Sequence, residues 1–447
     1  MLPSSPADGL VEFDAALLGA VALELATTAL ADTTVDGVAI TNQRSSAVVW
    51  DRATGQPIAP GIGWQDLRTI GLCFAAREHG LRFAPNQTAT KLQWLIDAHD
   101  PHRSRDLMAG TVDTWIAWVL SKGADHVTDA TNAAVTGLAN DAIDGWNQGA
   151  LDALGVHAMM PQIVDSAGEL GRAVGLPGAP PIVAMVGDQQ ASLVGQACVT
   201  PGQAKITFGT GGMLDQVTGD HPLIAGRRSR NGTFPIVAWR VDGATTWGLE
   251  SIMLAAGTNV EWLRDGLGLI ADAADSHAVA SGCSHTDGVV FVPAMMGLGS
   301  PRWDYGARSG FFGVTRGTTR AQLVRAVLEG VAHRGADLVE AAEADSGERI
   351  HTLRIDGGMS DNPTFVQALA DATGSAVEVC AEREATTRGA GLLGALALGS
   401  FSAIADIGRT WLPRAHVEPG ERLDREQWRR ALDRSAGWIE ALSAVDL

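Results

Sequence analysis

The alternation of hydrophobic and polar positions along the chain predicts short strands separated by helices. Apolar runs of strand length occur at 36–42, 46–52, 180–186, 203–208, 287–294 and 351–357. Helical patterns fall between them, at 88–100, 189–197, 319–344 and 363–374. This alternation is typical of α/β proteins, so we expect that fold class.

The strongest helical pattern runs from Thr319 to Ala344. Its apolar residues fall on one helical stripe: Leu323, Val324, Val327, Leu328, Val331 and Leu338. Its charged residues Arg325, Glu329 and Arg334 fall off that stripe. The pattern therefore predicts an amphipathic helix with its apolar side on a core.

The chain has 447 residues, more than one hydrophobic core usually serves, so we expect two domains. The clearest break is the Pro-Gly turn in CVTPGQ, and we predict a division near Pro201 into domains 1–200 and 201–447. The formal net charge of −18 disfavours nucleic acid and anionic membranes as partners, so a small-molecule substrate is expected.

The early apolar stretch at 15–30 contains Glu24 and has no basic segment before it, so it is not typical of a secretory signal. No apolar run reaches membrane-spanning length. The four cysteines are far apart and lack the spacing of a disulfide framework or a zinc site, so no protein-bound metal site is predicted. Together these features predict a cytoplasmic protein.

Asp188 is the first candidate for chemistry, because it follows an apolar strand and a glycine and precedes a helix. Ligands of open α/β sheets collect at the carboxyl ends of strands, which suits a catalytic acid. An ordinary helix N-cap explains the same position equally simply. Arg44, after another strand, is suited to bind hydroxyls or phosphate, although a surface arginine is the simpler interpretation.

Two glycine-rich turns are candidates for a nucleotide site. TFGTGG, which contains Thr210 and Gly211, resembles a phosphate-binding turn but has no Walker lysine, and a tight β-turn is the alternative. IDGGMSDN places Gly358 and Asn362 after a strand, where bare backbone can receive a flat purine. Its alternative is a strand-to-helix turn capped by Asp361 or Asn362.

A set of motifs in a fixed order gives these candidates a common context. They are TNQR, WQDLRT, TVDTWIAW, HVTDATNAA, GDQQASLVGQ, FGTGG, GLGSPRWD, GFFGVTRG and DGGMSDN. In this order they resemble the FGGY carbohydrate kinases, and among them the glycerol kinases most, from about Gly9 to about Gly420. The resemblance implies two ribonuclease-H-like domains of the actin and sugar kinase superfamily around a nucleotide cleft.

The resemblance also implies roles for individual residues. Asp188 corresponds to the general base, with Arg44 and Gln189 as ligands of a polyol. The residues that correspond to nucleotide contacts are Thr210, Gly211, Gly257, Gly358 and Asn362, together with Glu261 where glycerol kinases usually have glutamine. ATP with Mg²⁺ would be the phosphoryl donor, a polyol or sugar its acceptor, and a homodimer or homotetramer the expected assembly.

The acceptor pocket departs from the pattern of glycerol kinases. Ser45 stands where they have a glutamate, Asn86 where they have a tyrosine and Met213 where they have an aromatic residue, whereas Trp64 is retained as an apolar wall. Loss of groups that bind hydroxyls weakens recognition of a small polyol. We therefore expect a different or larger polyol, or a ketose.

The beginning of the chain also departs from the family. FGGY kinases open with a hairpin that carries Asp-x-Gly-Thr-Thr/Ser and holds phosphates, whereas the first match here, GLVEFD, corresponds to the segment after it. The first domain is thus expected to be incomplete at its start, with an uncovered sheet edge. Either Met1 is an internal start of a longer protein, or the chain is a catalytically impaired or silent nucleotide- or sugar-binding relative.

Overall fold

The computed structural model describes residues 3–224 and 228–445. Its centre is a mixed sheet of ten strands, in the order β18-β17-β16-β10-β11-β13-β12-β8-β9-β2. The strands are β1 Glu12–Phe13, β2 Val38–Asn42, β3 Val48–Asp51, β4 Gly61–Ile62, β5 Leu107–Gly110, β6 Val127–Asp129, β7 Gln162–Val164, β8 Ala167–Arg172, β9 Pro181–Gly187, β10 Ala204–Phe208, β11 Gly212–Gly219, β12 Phe234–Val241, β13 Ala244–Met253, β14 Val290–Val292, β15 Gly310–Phe312, β16 Thr352–Asp356, β17 Ala376–Cys380 and β18 Pro413–Val417. The remaining strands form four two-stranded sheets, β1-β4, β3-β5, β6-β7 and β14-β15.

Helices connect and cover these strands. They are α1 Ala15–Ala29, α2 Ile70–Ala76, α3 Thr88–His99, α4 Val112–Leu120, α5 Ala130–Ala134, α6 Gln148–Ala153, α7 Asp188–Gly195, α8 Thr258–Asp265, α9 Asp275–Ala280, α10 Arg320–Ser346, α11 Pro363–Thr373, α12 Ala385–Ala397, α13 Arg425–Ser435 and α14 Glu440–Ser443. Short 3₁₀ helices occupy Arg77–His79, Gly358–Asp361 and Ile404–Thr410. The predicted α/β class is confirmed, and each strand and helix predicted above has a counterpart.

Helix α10 confirms the predicted amphipathic pattern and also corrects it. The stripe residues Val324, Val327 and Leu328 are fully buried in the largest hydrophobic core, in which α10 packs against α9, α11 and β14. Arg334, predicted on the polar side, is buried as well, because it pairs with Asp337 at 2.6 Å. A long helix enclosed on several sides can bury a cation when a partner one turn away offsets its charge.

Parallel pairing brings the ends of four strands to the same side of the sheet. β2 runs parallel to β9, with Asn42 opposite Gly187, and β10 runs parallel to β16, with Thr207 opposite Asp356. The segments that follow these strands contain Arg44, Asp188, the glycine turn after Phe208 and Gly358. Because ligands bind at the carboxyl ends of parallel strands, the topology gathers the candidate residues.

Two further features bear on the sequence expectations. Pro201 lies between α7 and β10, and the division of the chain there stays a prediction. Within the described residues β2 pairs with β9 alone and forms one edge of the large sheet. In that same part of the chain, no helix is both long and apolar enough to cross a bilayer.

Candidate active site

Asp188 begins helix α7 but does not cap it. Gly187 occupies the N-cap position, and no side chain makes a capping hydrogen bond there. Asp188 Oδ1 accepts a hydrogen bond from the backbone N–H of Gln189 at 2.9 Å. The N-cap alternative for Asp188 is therefore wrong, and its carboxylate stands at the end of β9 with one oxygen uncommitted among the hydrogen bonds of the described residues.

Arg44 faces Asp188 from the end of the neighbouring strand. Its Nε lies 3.6 Å from Asp188 Oδ1, and its Nη2 donates to Glu250 Oε2 at 2.6 Å. Its Nη1 is buried and has no hydrogen-bond partner among the described residues. An unpartnered buried donor is costly, so a ligand oxygen is the natural partner for this nitrogen.

A buried ion pair between Lys205 and Asp215 orients the side-chain amide of Gln189. Lys205 Nζ donates to Gln189 Oε1 at 2.7 Å and lies 2.7 Å from Asp215 Oδ2, and neither charged side chain has any exposed surface. With its carbonyl oxygen occupied, the Gln189 amide has its Nε2 donors left for a ligand. The sequence pattern thus indicates Gln189 as a ligand candidate but does not indicate the ion pair that orients it.

Burial and neighbouring charges shift the pKa values of Asp188 and Glu250. About a third of the Asp188 side chain is exposed, yet the surrounding protein raises its carboxyl pKa, and Arg44 opposes that rise. Burial likewise raises the pKa of Glu250 against the opposing charge of Arg44, and Asp215 across the strand pair raises it further. A carboxylate made more basic than usual accepts a hydroxyl proton more readily.

Ser45, Trp64 and Asn86 are the remaining candidates for binding the acceptor. Ser45, in the left-handed region at φ 63°, is buried and donates to Val135 O at 3.3 Å, so its hydroxyl is already engaged. Trp64 is half-buried and Asn86 is exposed. Lys91 Nζ joins their segments by contacting Trp64 O at 3.5 Å and Pro85 O at 2.8 Å.

Lys91 makes a pH-dependent contribution to stability that can be measured. Burial lowers the pKa of Lys91 from 10.5 to about 7 in the folded protein, against the opposing charge of Asp66. Between those pH values the unfolded chain binds more protons than the folded one, so stability rises with pH. We expect urea unfolding to show wild type gaining about 2 to 3 kcal/mol relative to Lys91→Met between pH 7 and 9.5.

The exposed Lys122 is the matched control for this experiment. The stability difference between wild type and Lys122→Met is expected to stay flat over the same pH range, because an exposed ammonium keeps its hydration on folding. A flat difference for Lys91→Met as well would show that Lys91 is not desolvated as described.

The candidate nucleotide residues lie around the turn between β10 and β11. Thr210 O accepts from Ala256 N at 2.8 Å, and Gly209 O accepts from Gly257 N at 2.9 Å. These bonds bring Thr210 and Gly211 next to Gly257 at the start of α8, which also carries the exposed Glu261 in its first turn. A Cβ on Gly257 would lie 2.7 Å from Gly209 O, so this approach requires glycine.

Gly358 and Asn362 lie beside this turn, at the end of β16. A Cβ on Gly357 would collide with the backbone of Phe208, whereas one on Gly358 would meet nothing within 4 Å. Asn362 caps α11 by accepting from Phe365 N at 3.1 Å, and its Nδ2 donates to Ser276 Oγ at 2.9 Å. The cap interpretation of Asn362 is thus confirmed, while Gly358 presents bare backbone to open space.

Gly358→Val is expected to weaken ATP binding at least tenfold, because the side chain would project into the space over the bare backbone. Isothermal calorimetry with a non-hydrolysable ATP analogue measures the change directly. Gly71→Val is the control, since Gly71 is also exposed and its Cβ would also meet nothing within 4 Å. Equal affinities of the two variants would remove Gly358 from the nucleotide site.

Sequence reasoning missed five buried charged residues at this site: Lys91, Lys205, Asp215, Glu250 and Asp356. A signal for three of them was present, because charged residues interrupt apolar strands in QAKITF, GMLDQV and WGLESIM. A charge inside a buried strand requires a partner, but the strand pattern does not say which one.

Two family models match most of this chain. Residues 15–195 match the N-terminal domain of the FGGY family of carbohydrate kinases, and residues 204–398 match its C-terminal domain. A glycerol kinase of Aromatoleum aromaticum is 40% identical over 98% of this chain and 92% of its own length. A glycerol kinase of Rhodospirillum rubrum is 39% identical over 98% and 92%.

Solved structures show the same architecture. The crystal structure of Plasmodium falciparum glycerol kinase with ADP superposes with a TM-score of 0.89 at 27% identity, covering 100% of this chain and 92% of that one. A xylulose kinase from Rhodospirillum rubrum superposes with a TM-score of 0.81 at 22% identity, covering 97% and 91%, and supports the fold alone.

Proposed function

The chain belongs to the FGGY family of carbohydrate kinases, and from that premise we propose that it transfers the γ-phosphoryl group of ATP to a primary hydroxyl of a polyol or sugar. The family makes it a transferase with an alcohol acceptor. The observation that supports transfer to a primary hydroxyl is the Asp188 carboxylate, which does not cap α7. It lies beside Arg44 at the end of β9.

In the proposed reaction Asp188 accepts the proton of the acceptor hydroxyl. The hydroxyl oxygen forms a bond to the γ-phosphorus as the bond to the β-phosphate oxygen breaks, and ADP leaves. Arg44 Nη1 and Gln189 Nε2 hold neighbouring oxygens of the acceptor, since the other polar groups of both side chains are already engaged. The protein thus contributes positioning and a proton acceptor.

The described residues are compatible with ATP and Mg²⁺. They contain no cluster of three or more histidine, cysteine or acidic side chains that could hold a metal ion. Asp356, at the end of β16, has a buried Oδ1 without a hydrogen-bond partner and is the candidate protein ligand. When bound, Mg²⁺ offsets the charge of the phosphates.

We further propose an acceptor other than glycerol, either a longer polyol or a ketose. Ser45 is engaged with Val135 and Asn86 is exposed, so neither replaces the carboxylate and phenol expected of a glycerol site. Arg44 and Gln189 offer donors, which suit carbonyl and hydroxyl oxygens. The homodimer or homotetramer expected from the family stays a prediction.

Coupled measurement of ADP release tests both proposals, with glycerol, ribitol and D-xylulose as acceptors. ADP release that requires ribitol or D-xylulose is expected. A kcat/KM for glycerol inside the usual enzyme range of about 10⁴–10⁸ M⁻¹s⁻¹, above that for the other two, would refute the choice of acceptor. Stabilisation by ligand without any ADP release would instead favour a silent binding protein.

A further inference from the structure

A buried polar cluster lies behind the site, in the segment HVTDATNAA that the proposed function leaves unused. Its centre is Asp129, the N-cap residue of α5, which is fully buried. Its Oδ1 accepts from Thr131 Oγ1 at 2.8 Å and from Asn132 Nδ2 at 2.9 Å. Its Oδ2 accepts from Ser166 Oγ at 2.7 Å, so both carboxylate oxygens accept side-chain hydrogen bonds.

One arm of this cluster reaches the strand end that carries Asp188. Because the Thr131 hydroxyl donates its hydrogen to Asp129, its oxygen is left as an acceptor. It accepts from the backbone N–H of Gly187 at 2.8 Å. Gly187 is the last residue of β9 and immediately precedes Asp188.

The other arm reaches the strand end that carries Arg44. Asn132 Nδ2 donates to Asn42 Oδ1 at 3.1 Å, and Asn42 Nδ2 donates to Asn132 Oδ1 at 3.0 Å. Asn42 is the last residue of β2, two residues before Arg44. Both amides are buried, so leaving either of them without a hydrogen-bond partner would be costly.

We propose that Asp129, Thr131 and Asn132 are positioning residues that fix the ends of β2 and β9 relative to each other, and so set the placement of Arg44 against Asp188. The inference rests on the proposed function for the roles of those two residues. The hydrogen bonds that lead from the cluster toward these two residues run through the backbone of Gly187 and the side chain of Asn42. A displacement of about 1 Å in such an arrangement is enough to lower turnover about 100-fold.

Kinetics of three variants test the positioning role. Thr131→Val keeps the shape of the side chain but removes the hydroxyl, and is expected to lower kcat roughly 10- to 100-fold while KM for ATP stays within twofold. Thr131→Ser restores the hydroxyl and should recover kcat to within about threefold. Thr136→Val is the matched control, because Thr136 is also buried and, within the described residues, its hydroxyl bonds only locally, donating to Ala133 O and accepting from Leu138 N.

Equal losses of kcat in Thr131→Val and Thr136→Val would mean that the cluster only stabilises the core, and would overturn the proposal. Should Thr131→Val fail to fold, Asn42→Ala interrupts the other arm alone. It is expected to raise KM for the acceptor at least tenfold, through Arg44, with a smaller change in kcat. An unchanged acceptor KM in Asn42→Ala would likewise count against the proposal.

Hydrogen exchange of the protein without substrate separates this inference from the proposed function. The Gly187 amide is expected to exchange at least tenfold faster in Thr131→Val than in wild type or Thr131→Ser, when followed by mass spectrometry on peptides covering 181–190. Unchanged protection would overturn the positioning role whatever the kinetics. A wild-type protein that phosphorylates no acceptor would overturn the proposed function, and the exchange result would still decide the positioning role.

Discussion

Asp188→Asn is expected to lower kcat for phosphoryl transfer by about 10²–10⁴-fold, the usual contribution of a positioned general base. The amide keeps the size of the side chain and an oxygen able to accept from Gln189 N, but it cannot take up the acceptor proton. Because Arg44 also retains its bond to Glu250, the site should keep its shape. Coupled detection of ADP release, at saturating ATP and acceptor, measures the change.

Asp152→Asn serves as the control for this substitution. Asp152 is exposed on α6, where it accepts from Gln148, so its variant should match wild type in kcat. Affinity for an ATP analogue should be the same in all three proteins, since Asp188 is proposed to act on the acceptor. If Asp188→Asn turns over like wild type, another group must accept the proton and the assignment of Asp188 fails.

The fold was largely predictable because local patterns determine it. The apolar runs at 36–42 and 180–186 form β2 and β9, and the stripe of α10 is buried as its period predicts. The capping box of Thr319 with Gln322 and the left-handed Gly347 set the two ends of α10, and neither depends on distant residues. Each of these features is decided within a few residues of chain.

The electrostatic part of the site could not be predicted in the same way, because its partners are distant in sequence. Arg44 is 206 positions from Glu250, which it contacts at 2.6 Å. Asp215 lies directly across from Glu250 because of the register in which β11 and β13 pair. No local pattern in the sequence specifies that register. Residues such as Asp188 and Gly358 were found because they follow strands, whereas the groups that orient them were not.

Among the single glycine-to-alanine substitutions in α12, Gly389→Ala is expected to cause the largest loss of stability. A Cβ there would overlap the carbonyl oxygen of Ala191 and lie 2.7 Å from the backbone N of Gly195, and a Cβ on Gly195 would overlap Ala385 O. Backbone atoms of α7 and α12 cannot move aside as side chains do. We expect a loss of more than about 3 kcal/mol in unfolding free energy, measured by urea titration.

Gly391→Ala on the same helix isolates this contact from helix propensity. A Cβ on Gly391 would meet nothing within 4 Å, so alanine there should stabilise the protein by about 0.5–1 kcal/mol. Since α7 begins at Asp188, a partly folded Gly389→Ala protein should also lose kcat as its helices separate. Matching stabilities of the two variants would mean that α7 and α12 are not in backbone contact, and the position of Asp188 would then need another support.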